Sequence, residues 1–495
     1  MSSPTPHIGI VGAGVSGLRC AEILLNHGFQ VTILEARDRI GGRICQSDKL
    51  GYRADIGPNW IHQVCRHPIV DLARETNTPL HPWNDKQNIY DSSGKLLPDD
   101  KSDRLSSLLW QFIEEAFTYS ATHQNEISES DSLYDFVKSK AEEHIKEQED
   151  VELLLQMSQM WGAYVGDQVS RQSLRFAWME ECCGGGEMFV ESTWEAILGE
   201  IAGIPLEKAK VCLGEKVVNV QTSSRASEGG KVTLSTEKGE TFLFDEVVMT
   251  TPLGFLKRNK GAFEPVLPQR LLDGIDAISV GHLEKVYITF PTAFWVDAPS
   301  TPLAPNLSPQ ERAKAEDTFP GYTNWLSPSY SDATNPSRWP AECWNLASFT
   351  PPNRHPTLIF YLYGESSAYL TTLVHRKSTE DHHNLLNSFF KPYYSLLSNY
   401  DATSPDCEPK AILSTEWQKD ELSGFGSYCN FQVGVKDAAE NVKAMRFGVP
   451  EQRLWFAGEH TAPFEELGTV AGAYLSGEGV ALRILDGYGV NGSIN

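Results

Sequence analysis

The stretch HIGIVGAGVSGL, residues 7–18, decides the fold class of this chain. It starts with a short apolar run that is typical of a buried parallel strand. An apolar pattern with helical spacing follows from Ser16 to about His27, and Gly28 is placed to end that helix. Gln30 to Leu34 is a second apolar strand. Because parallel strands need such a crossover helix, the segment predicts a βαβ unit.

The glycines of this stretch predict a dinucleotide site. Gly12, Gly14 and Gly17 have the spacing GxGxxG, which lets the backbone turn tightly and approach a pyrophosphate at the helix N-terminus. Glu35 follows at the end of the second strand, where it can accept hydrogen bonds from the adenosine ribose hydroxyls. An acid at this position also disfavours a 2′-phosphate.

The next segment, ARDRIGGR at residues 36–43, indicates which dinucleotide binds. Gly41 and Gly42 allow a second close backbone approach, and Arg43 can neutralise a phosphate. A nicotinamide dehydrogenase does not need this second clamp, whereas the longer FAD can use it. The sequence contains no second GxGxxG, so it offers no obvious seat for NAD(P)H. Dioxygen is therefore the expected electron acceptor.

Composition favours a soluble globular protein. Of its residues, 41% are hydrophobic and 22% are charged. The length of 495 residues is more than one ordinary hydrophobic core can hold, so two or more domains are expected. Its formal net charge of −23 makes nucleic acid a poor partner. The same field would attract a polycationic ligand, although an acidic surface also simply aids solubility.

No apolar run is long enough for a membrane span, and the N-terminus lacks the features of a signal peptide. The last three residues are not the usual peroxisomal signal. Nine scattered cysteines without paired CxxC spacing indicate a reducing compartment, and the adjacent Cys182 and Cys183 are interpreted as packing residues. The expected location is the cytoplasm. No cluster of residues suggests a metal.

The predicted fold class is α/β, with a discontinuous Rossmann-type FAD-binding domain interleaved with an α+β substrate-binding domain. Helical spacing dominates from about Pro79 to Glu200, and the Pro-, Ser- and Asn-rich segment 297–342 predicts a surface loop. The expected boundaries are 1–78, 205–265 and 410–486 for the FAD-binding domain, 79–204 and 266–409 for the substrate-binding domain, and 487–495 for a C-terminal tail.

One further stretch is unusual for a surface turn. In GPNWIH, residues 57–62, Trp60 and His62 alternate along the chain, so both point the same way if the segment is extended.

The chain resembles the flavin-containing amine oxidases, and most closely their polyamine oxidase branch. The resemblance lies in IGIVGAGVSGL, LEARDRIGGR and DIGPNWIH near the start, LEKVYITFP in the middle, and FAGEHT and GAYLSG near the end. The middle helical region and the segment 297–342 match poorly. The combination of motifs is specific, although no single one is.

The resemblance implies how FAD is held. Glu35 would hold the ribose, Arg43 the pyrophosphate and Val218 the adenine, through its backbone. Glu459 would approach the ribityl-diphosphate region and Val470 the isoalloxazine. The other expected FAD contacts are Gly12, Gly14, Val15, Ser16, Gly17, Ala36, Arg37, Gly42, Gly57, Pro58, Asn59, Trp60, Trp417, Gly458 and Thr469.

The resemblance also implies catalytic and substrate residues. Lys285 matches the lysine that hydrogen-bonds a water next to flavin N5, although a strand lysine is otherwise an ordinary solvated residue. His62 matches a histidine of the substrate tunnel, where its role as a base or as a binding group stays open. Trp60 would face the substrate beside it. Glu180 and Glu181 could pair with a distal ammonium or be plain surface charge.

Two departures from monoamine oxidases matter. Ser427 stands where those enzymes attach flavin through a cysteine, so FAD is expected to be bound without a covalent link. Those enzymes also enclose the amine between two tyrosines. Tyr428 keeps one wall, but Thr469 replaces the other, which disfavours a narrow monoamine cage.

The function implied is an FAD-dependent polyamine oxidase. It would oxidise a secondary amine C–N bond of spermine, spermidine or an acetylated polyamine to an imine, which hydrolyses to an aldehyde and an amine, with O2 reduced to H2O2. The alternatives are a flavin oxidase of another amine (a monoamine, an amino acid or a secondary metabolite) and a non-catalytic flavin-fold binding module. The sequence leaves the oligomeric state open.

Overall fold

The structure is a computed structural model, and it describes residues 5–62, 67–83, 86–181, 186–225, 229–296 and 320–490. Cys182 and Cys183, interpreted above as packing residues, lie outside these ranges. None of the described helices is both long and apolar enough to span a bilayer.

The strands are β1 (His7–Val11), β2 (Gln30–Glu35), β3 (Gln46–Ser47), β4 (Ala54–Asp55), β5 (Trp60–His62), β6 (Leu80–His81), β7 (Gln87–Tyr90), β8 (Glu187–Val190), β9 (Lys210–Leu213), β10 (Val217–Gln221), β11 (Val232–Thr236), β12 (Thr241–Phe244), β13 (Glu246–Met249), β14 (Phe263–Glu264), β15 (Ser279–Val280), β16 (Leu283–Thr289), β17 (Tyr322–Trp325), β18 (Ala341–Asn345), β19 (Thr357–Tyr363), β20 (Ala411–Ser414), β21 (Cys429–Asn430) and β22 (Leu454–Phe456). The helices are α1 (Val15–Asn26), α2 (Pro68–Glu75), α3 (Asp99–His123), α4 (Leu133–His144), α5 (Gln148–Met157), α6 (Gly162–Val165), α7 (Glu195–Lys208), α8 (Leu253–Arg258), α9 (Gln269–Ala277), α10 (Gly364–Val374), α11 (Thr379–Tyr394), α12 (Ala438–Phe447) and α13 (Val470–Gly487).

A parallel five-stranded sheet in the order β22-β13-β1-β2-β9 forms one side of the molecule. The predicted βαβ unit is confirmed as β1-α1-β2, and Gly28, with a φ of +81°, follows the end of α1. Apolar side chains fill both faces of this sheet, as expected for parallel strands covered by helices. The α/β fold class is therefore confirmed.

The last helix closes this side of the molecule. α13 packs along α1, and the contact is tight because Gly477 has no side chain: a Cβ there would lie 2.2 Å from the carbonyl oxygen of Ser16. Ser16 stands in the first turn of α1, next to the glycine-rich loop. The C-terminal helix thus fixes the position of the helix that carries the dinucleotide motif.

The helical region predicted between about residues 79 and 200 is confirmed. α3, α4 and α5 pack on one another around a separate apolar core. Met157 and Met160 are buried in that core.

A six-stranded sheet in the order β20-β16-β19-β18-β17-β7 forms the other side. Successive side chains of a strand point to opposite faces, so this sheet has two distinct surfaces. Val286, Ile288 and Phe360 lie on the face that shares an apolar core with α10 and α11. Lys285 and Tyr361 lie on the opposite face.

The prediction of a surface loop for 297–342 is wrong for part of that segment. Residues 297–319 lie outside the described ranges, but Tyr322–Trp325 is strand β17, in the interior of the six-stranded sheet. The Trp325 side chain is fully buried. The Pro- and Ser-rich composition hid a short strand whose aromatic residues pack inside the sheet.

We propose the domain division given by the sequence, with one change. Strands from 1–78, 205–265 and 410–486 meet in the parallel sheet, which supports grouping these segments. The predicted boundary at 204/205 falls inside α7 (Glu195–Lys208), which packs on α1, and its residues Ile197 and Ile201 are part of the same core. We therefore propose that α7 be counted with the cofactor-binding domain.

The Gly477→Ala variant should lower the apparent unfolding temperature in a thermal melt. Its added methyl collides with the backbone of α1, and such overpacking costs about 1–3 kcal/mol. Gly479→Ala is the matched control in the same helix, because its nearest neighbour is the end of the Arg483 side chain at 3.4 Å. Alanine there should leave the melt unchanged or raise it. Equal melting of both variants would contradict the close packing of α13 on α1.

Candidate active site

The loop between β1 and α1 is shaped to receive a phosphate group. A Cβ at Gly17 would lie 2.1 Å from the carbonyl oxygen of Gly12, so only glycine fits, whereas the space in front of Gly14 is open. Within the described part of the chain, no side chain caps the N-terminus of α1. The Ser16 hydroxyl is buried there and has no hydrogen-bond partner among the described residues. Free backbone N–H groups and an unpaired hydroxyl are donors suited to a pyrophosphate.

Glu35 is held at the end of β2. One carboxylate oxygen accepts from the Ala13 N–H at 2.7 Å and the other from the Arg37 N–H at 2.8 Å. Arg37 itself is paired with Asp420 at 2.7 Å. This geometry places an acceptor beside the glycine-rich loop, which fits a ribose diol.

The predicted adenine contact lies on the adjoining segment. The Glu215 N–H donates to the Glu35 carbonyl at 2.8 Å, which brings the start of β10 next to β2. Val218, on β10, exposes 41% of its surface. Ala36 lies between Glu35 and Arg37, so these predicted contacts form one contiguous edge.

Arg43 joins the beginning of the chain to its end. Its guanidinium donates to the Ser427 carbonyl at 2.6 Å and pairs with the Glu459 carboxylate at 3.0 Å. Burial favours the neutral form of Glu459, but Arg43, together with His460 and a hydrogen bond from Cys429, holds the pKa of that carboxyl below its usual value. The Ser427 hydroxyl donates to the Gly281 carbonyl at 2.9 Å.

The remaining predicted FAD contacts lie around this pair. A Cβ at Gly57 would be 2.0 Å from the Arg43 carbonyl oxygen, and Gly42 faces Gly14 across the loop. Gly458 has a φ of +145° and directs its N–H to the Ser476 hydroxyl at 3.0 Å. The Trp417 indole N–H donates to the Ile56 carbonyl at 3.1 Å. Val15 is buried, and Pro58 is half-buried.

Lys285 is buried, with 5% of its surface exposed, in an interior strand of the six-stranded sheet. It is therefore not an ordinary solvated edge lysine. Its ammonium donates to the Gly57 carbonyl and to the Asn59 side chain. The Tyr361 hydroxyl also donates to Asn59 at 2.9 Å. Burial lowers the pKa of Lys285 to about 7, so a large share of this amine is neutral near neutral pH.

Trp60 and His62 form β5, and they are half-buried while Ile61 between them is buried. The predicted alternation is therefore confirmed. The Trp60 indole N–H donates to the Tyr361 hydroxyl at 3.1 Å, which links it to the lysine network. Both rings line a small cavity together with Ile61, His67, Ile69, Trp194, Thr469, Val470 and Ala471. Four predicted site residues, distant in sequence, thus share one cavity.

His62 has an acidic partner that the sequence did not reveal. β5 pairs antiparallel with β8 so that His62 lies opposite Glu187, and the two side chains are 2.8 Å apart. Burial alone would lower the pKa of His62, but Glu187, with a smaller contribution from Glu466, raises it above its usual value. His62 and Glu187 are placed to hold or pass a proton beside the cavity.

Tyr428 and Thr469 come close together. The Tyr428 hydroxyl donates to the Tyr164 carbonyl at 2.8 Å, and its ring lies against Gly468. The Thr469 hydroxyl caps α13 by accepting from the Gly472 N–H at 2.8 Å. Tyr428 thus contacts the residue that precedes Thr469 in the chain.

The pair Glu180 and Glu181 is split. Glu180 accepts from the Phe431 N–H at 3.3 Å, and burial raises its pKa to about 7. Glu181 is exposed. Adjacent residues need not point the same way, and only Glu180 turns inward toward the Tyr428 segment.

Comparison with known proteins identifies the family. Residues 15–485 match the model of the flavin-containing amine oxidoreductases, so the chain belongs to that family. It is an FAD-dependent amine oxidase, and the glycine-rich loop, Glu35 and the Arg43–Glu459 pair fit that cofactor.

Similar curated proteins include polyamine oxidases and a histone demethylase homologue. Polyamine oxidase 3 of Oryza sativa subsp. japonica is 25% identical over 98% of this chain and 91% of its own length. Polyamine oxidase 2 of Arabidopsis thaliana is 25% identical over 99% of this chain and 91% of its own length. Lysine-specific histone demethylase 1 homolog 2 of Arabidopsis thaliana is 27% identical, but only 58% of that protein is covered.

Two residues of the site, Glu187 and Tyr361, escaped sequence analysis, and Asn59 was expected only as an FAD contact. Glu187, Asn59 as a partner of Lys285, and Tyr361 reach their places through strand pairing between distant segments. The acid at 187 follows an unremarkable glycine-rich stretch. Within this network, a local sequence pattern indicated only the orientation of Lys285, because the alternation within LEKVYITF places it on one face of a strand.

Glu187→Gln should lower the pKa of His62, because it removes the carboxylate that opposes burial. The titration of labelled histidine, followed by NMR, should show a midpoint above 6.5 in the native protein and below 6.5 in the variant. The ion pair stabilises the fold below pH 6.5, and that stabilisation is lost as pH rises through the His62 pKa. Glu195→Gln, at an exposed ion pair with Arg53, is the control. An unmoved His62 titration would disprove the pairing.

Proposed function

We propose that this enzyme is a polyamine oxidase. The observation that carries the proposal is the lining of its site, where the aromatic rings of Trp60, His62 and Trp194 border one cavity and half-buried carboxylates lie on adjoining elements. Trp60 lines the cavity, and Tyr428, Glu180 and Glu187 lie on the elements beside it. Such a surface suits an amine with several positive charges, because aromatic faces and carboxylates both attract cations.

The substrate nitrogen that reacts must be uncharged, because its lone pair drives imine formation. FAD, when bound, supplies the acceptor for the two electrons. The chain's own groups orient the amine, exclude water and handle protons. His62, held by Glu187 at 2.8 Å, is placed to take up a proton from the incoming amine.

Lys285 has a separate task in this proposal. Its amine is fixed by the Gly57 carbonyl and by Asn59, so its position does not depend on solvent. With a pKa of about 7, its amine can change between the charged and the neutral form at little cost. It can therefore donate a hydrogen bond to a water molecule or accept one from it. This supports the role that the sequence resemblance implies for it.

The rival substrates fit less well. The Tyr428 ring lies against Gly468, and the residue that follows this glycine is Thr469 and not a second tyrosine, which argues against two aromatic rings enclosing a small monoamine. No arginine stands among the described residues that line the cavity, as an amino-acid carboxylate would require. The similarity to a protein named as a histone demethylase makes N-methylated lysine the second candidate, since it is also a substituted amine.

We further propose a cytoplasmic location. The described cysteines, such as Cys45 and Cys212, carry free thiols, which suits a reducing compartment.

A peroxide screen tests the function directly. The purified FAD-loaded enzyme should release H2O2 with spermine, spermidine or their acetylated forms, and mass spectrometry should identify an aldehyde and a shorter amine. Benzylamine, free amino acids and a methylated-lysine peptide are the comparison substrates. Peroxide from the peptide alone would favour the demethylase reaction, and peroxide from none of them would favour the binding module.

Lys285→Met should slow turnover at least tenfold and leave the yellow cofactor bound, because the variant removes a polar group beside the site and not a phosphate contact. Stopped-flow absorbance would follow flavin reduction by spermine and reoxidation by O2 separately. Lys443→Met, at a half-exposed lysine, is the control. If both half-reactions keep their rates, Lys285 has no part in the mechanism.

A further inference from the structure

Glu342 is a buried acid on the site-facing surface of the six-stranded sheet. It is 5% exposed and accepts one hydrogen bond, from the Tyr322 hydroxyl at 2.9 Å. Among the described residues, no lysine, arginine or histidine forms an ion pair with it. A carboxylate without a positive partner is costly in such a place, so it calls for an explanation.

Strand register places Glu342 in one row with Lys285. On β16 and β19, Lys285 lies opposite Tyr361, and on β18 and β19, Glu342 lies opposite the same tyrosine. Directly opposed residues of antiparallel strands point to the same face. Two strand spacings separate the ends of this row, which is about 10 Å. The acid thus faces the same side as the lysine, at a distance that an extended polyamine can span.

The carboxylate is held with one oxygen free. The Asn324 amide donates to the Tyr322 oxygen at 3.0 Å, and the Tyr322 hydroxyl donates to Oε2 of Glu342. Oε1 of Glu342 has no hydrogen-bond partner among the described residues, and Oδ1 of Asn324 is buried without one. The region therefore lacks donors, and an ammonium group carries three.

The groups around Glu342 are aromatic and uncharged. Tyr322, Tyr361, Tyr363 and Tyr428 all feel its charge, and each has a pKa raised above the usual value, chiefly by burial. Burial also raises the pKa of Glu342 to about 8. Nothing positive within the described part of the chain compensates this acid, so a cationic ligand would stabilise its ionised form.

We propose that Glu342 binds the distal ammonium group of the substrate and so determines which amines are oxidised. The inference rests on the proposed function and deepens it. The substrate lies over Tyr361, with its reacting nitrogen near Lys285 and a free ammonium at Glu342. An end that is acetylated carries no charge and loses this contact. Tyr322 and Asn324 act as positioning residues, because they orient the carboxylate.

The test compares Glu342→Gln with the native enzyme on two ligands, spermine and a diacetylated spermine whose ends are uncharged. Glutamine closely imitates the protonated acid, so the variant should fold and bind FAD with the usual absorbance. The KM for spermine should rise at least tenfold with little change in kcat at saturation. Calorimetry on the dithionite-reduced enzyme without O2 should show the same loss in spermine affinity. For the diacetylated ligand, the affinity should differ less than twofold between the variant and the native enzyme.

Glu191→Gln is the matched control, because Glu191 is also a buried acid but is partnered by His81 at 3.2 Å. This control variant should bind both ligands with the same affinity as the native enzyme. Tyr322→Phe is a second variant, which should weaken spermine binding in the same direction by a smaller factor.

An unchanged spermine affinity in Glu342→Gln, or an equal loss for both ligands, would overturn the inference. Its failure can be told apart from failure of the proposed function. If the native enzyme oxidises no polyamine, the peroxide screen shows it, whereas the binding comparison still reports on Glu342.

Discussion

A buried lysine connects the two halves of the molecule. Removing an ammonium from water costs several kcal/mol unless protein groups replace its hydration. Lys285 meets that requirement through the Gly57 carbonyl and Asn59, which belong to the segment just after the phosphate clamp. Gly57 in turn packs on the backbone of Arg43, which pairs with Glu459 near the C-terminus. The position of the lysine therefore depends on the cofactor cradle, and the reverse is also true.

This chain of contacts explains why the site lies where it does. The parallel sheet presents its loops and the N-termini of α1 and α13 at one edge, where donors collect. The six-stranded sheet presents the face on which Lys285, Tyr361 and Glu342 form one row. Between them stands β5, whose Trp60 contacts the sheet and whose His62 contacts the cavity. In the proposed function, the amine would react in the space between the cofactor cradle and these residues.

The acids of the site differ in what compensates them. Glu459 has Arg43 and Glu187 has His62, and in both cases the partner lowers a pKa that burial alone would raise. Glu180 and Glu342 have no such partner among the described residues, and burial raises their pKa values. The protein has a net charge of −23, and its surface carboxylates can supply the charge that solubility requires, so these two acids are not needed for it. Their burial is understandable if a cation arrives from outside.

The sequence by itself determined the cofactor half of this protein. The glycine spacing, the acid at the end of β2 and the second clamp are local features, because each depends on a few consecutive residues and on backbone geometry. Local alternation also placed Trp60 with His62 and gave Lys285 a face. Tertiary structure alone decided the rest: that β17 is an interior strand, that Glu187 meets His62, that Glu181 turns away, and that Glu342 aligns with Lys285. Apart from the orientation of Glu181, which follows a short 3-10 helix, these features depend on strand register between separate segments, more than a hundred residues apart for His62 and Glu187, and no local pattern encodes a register of that kind.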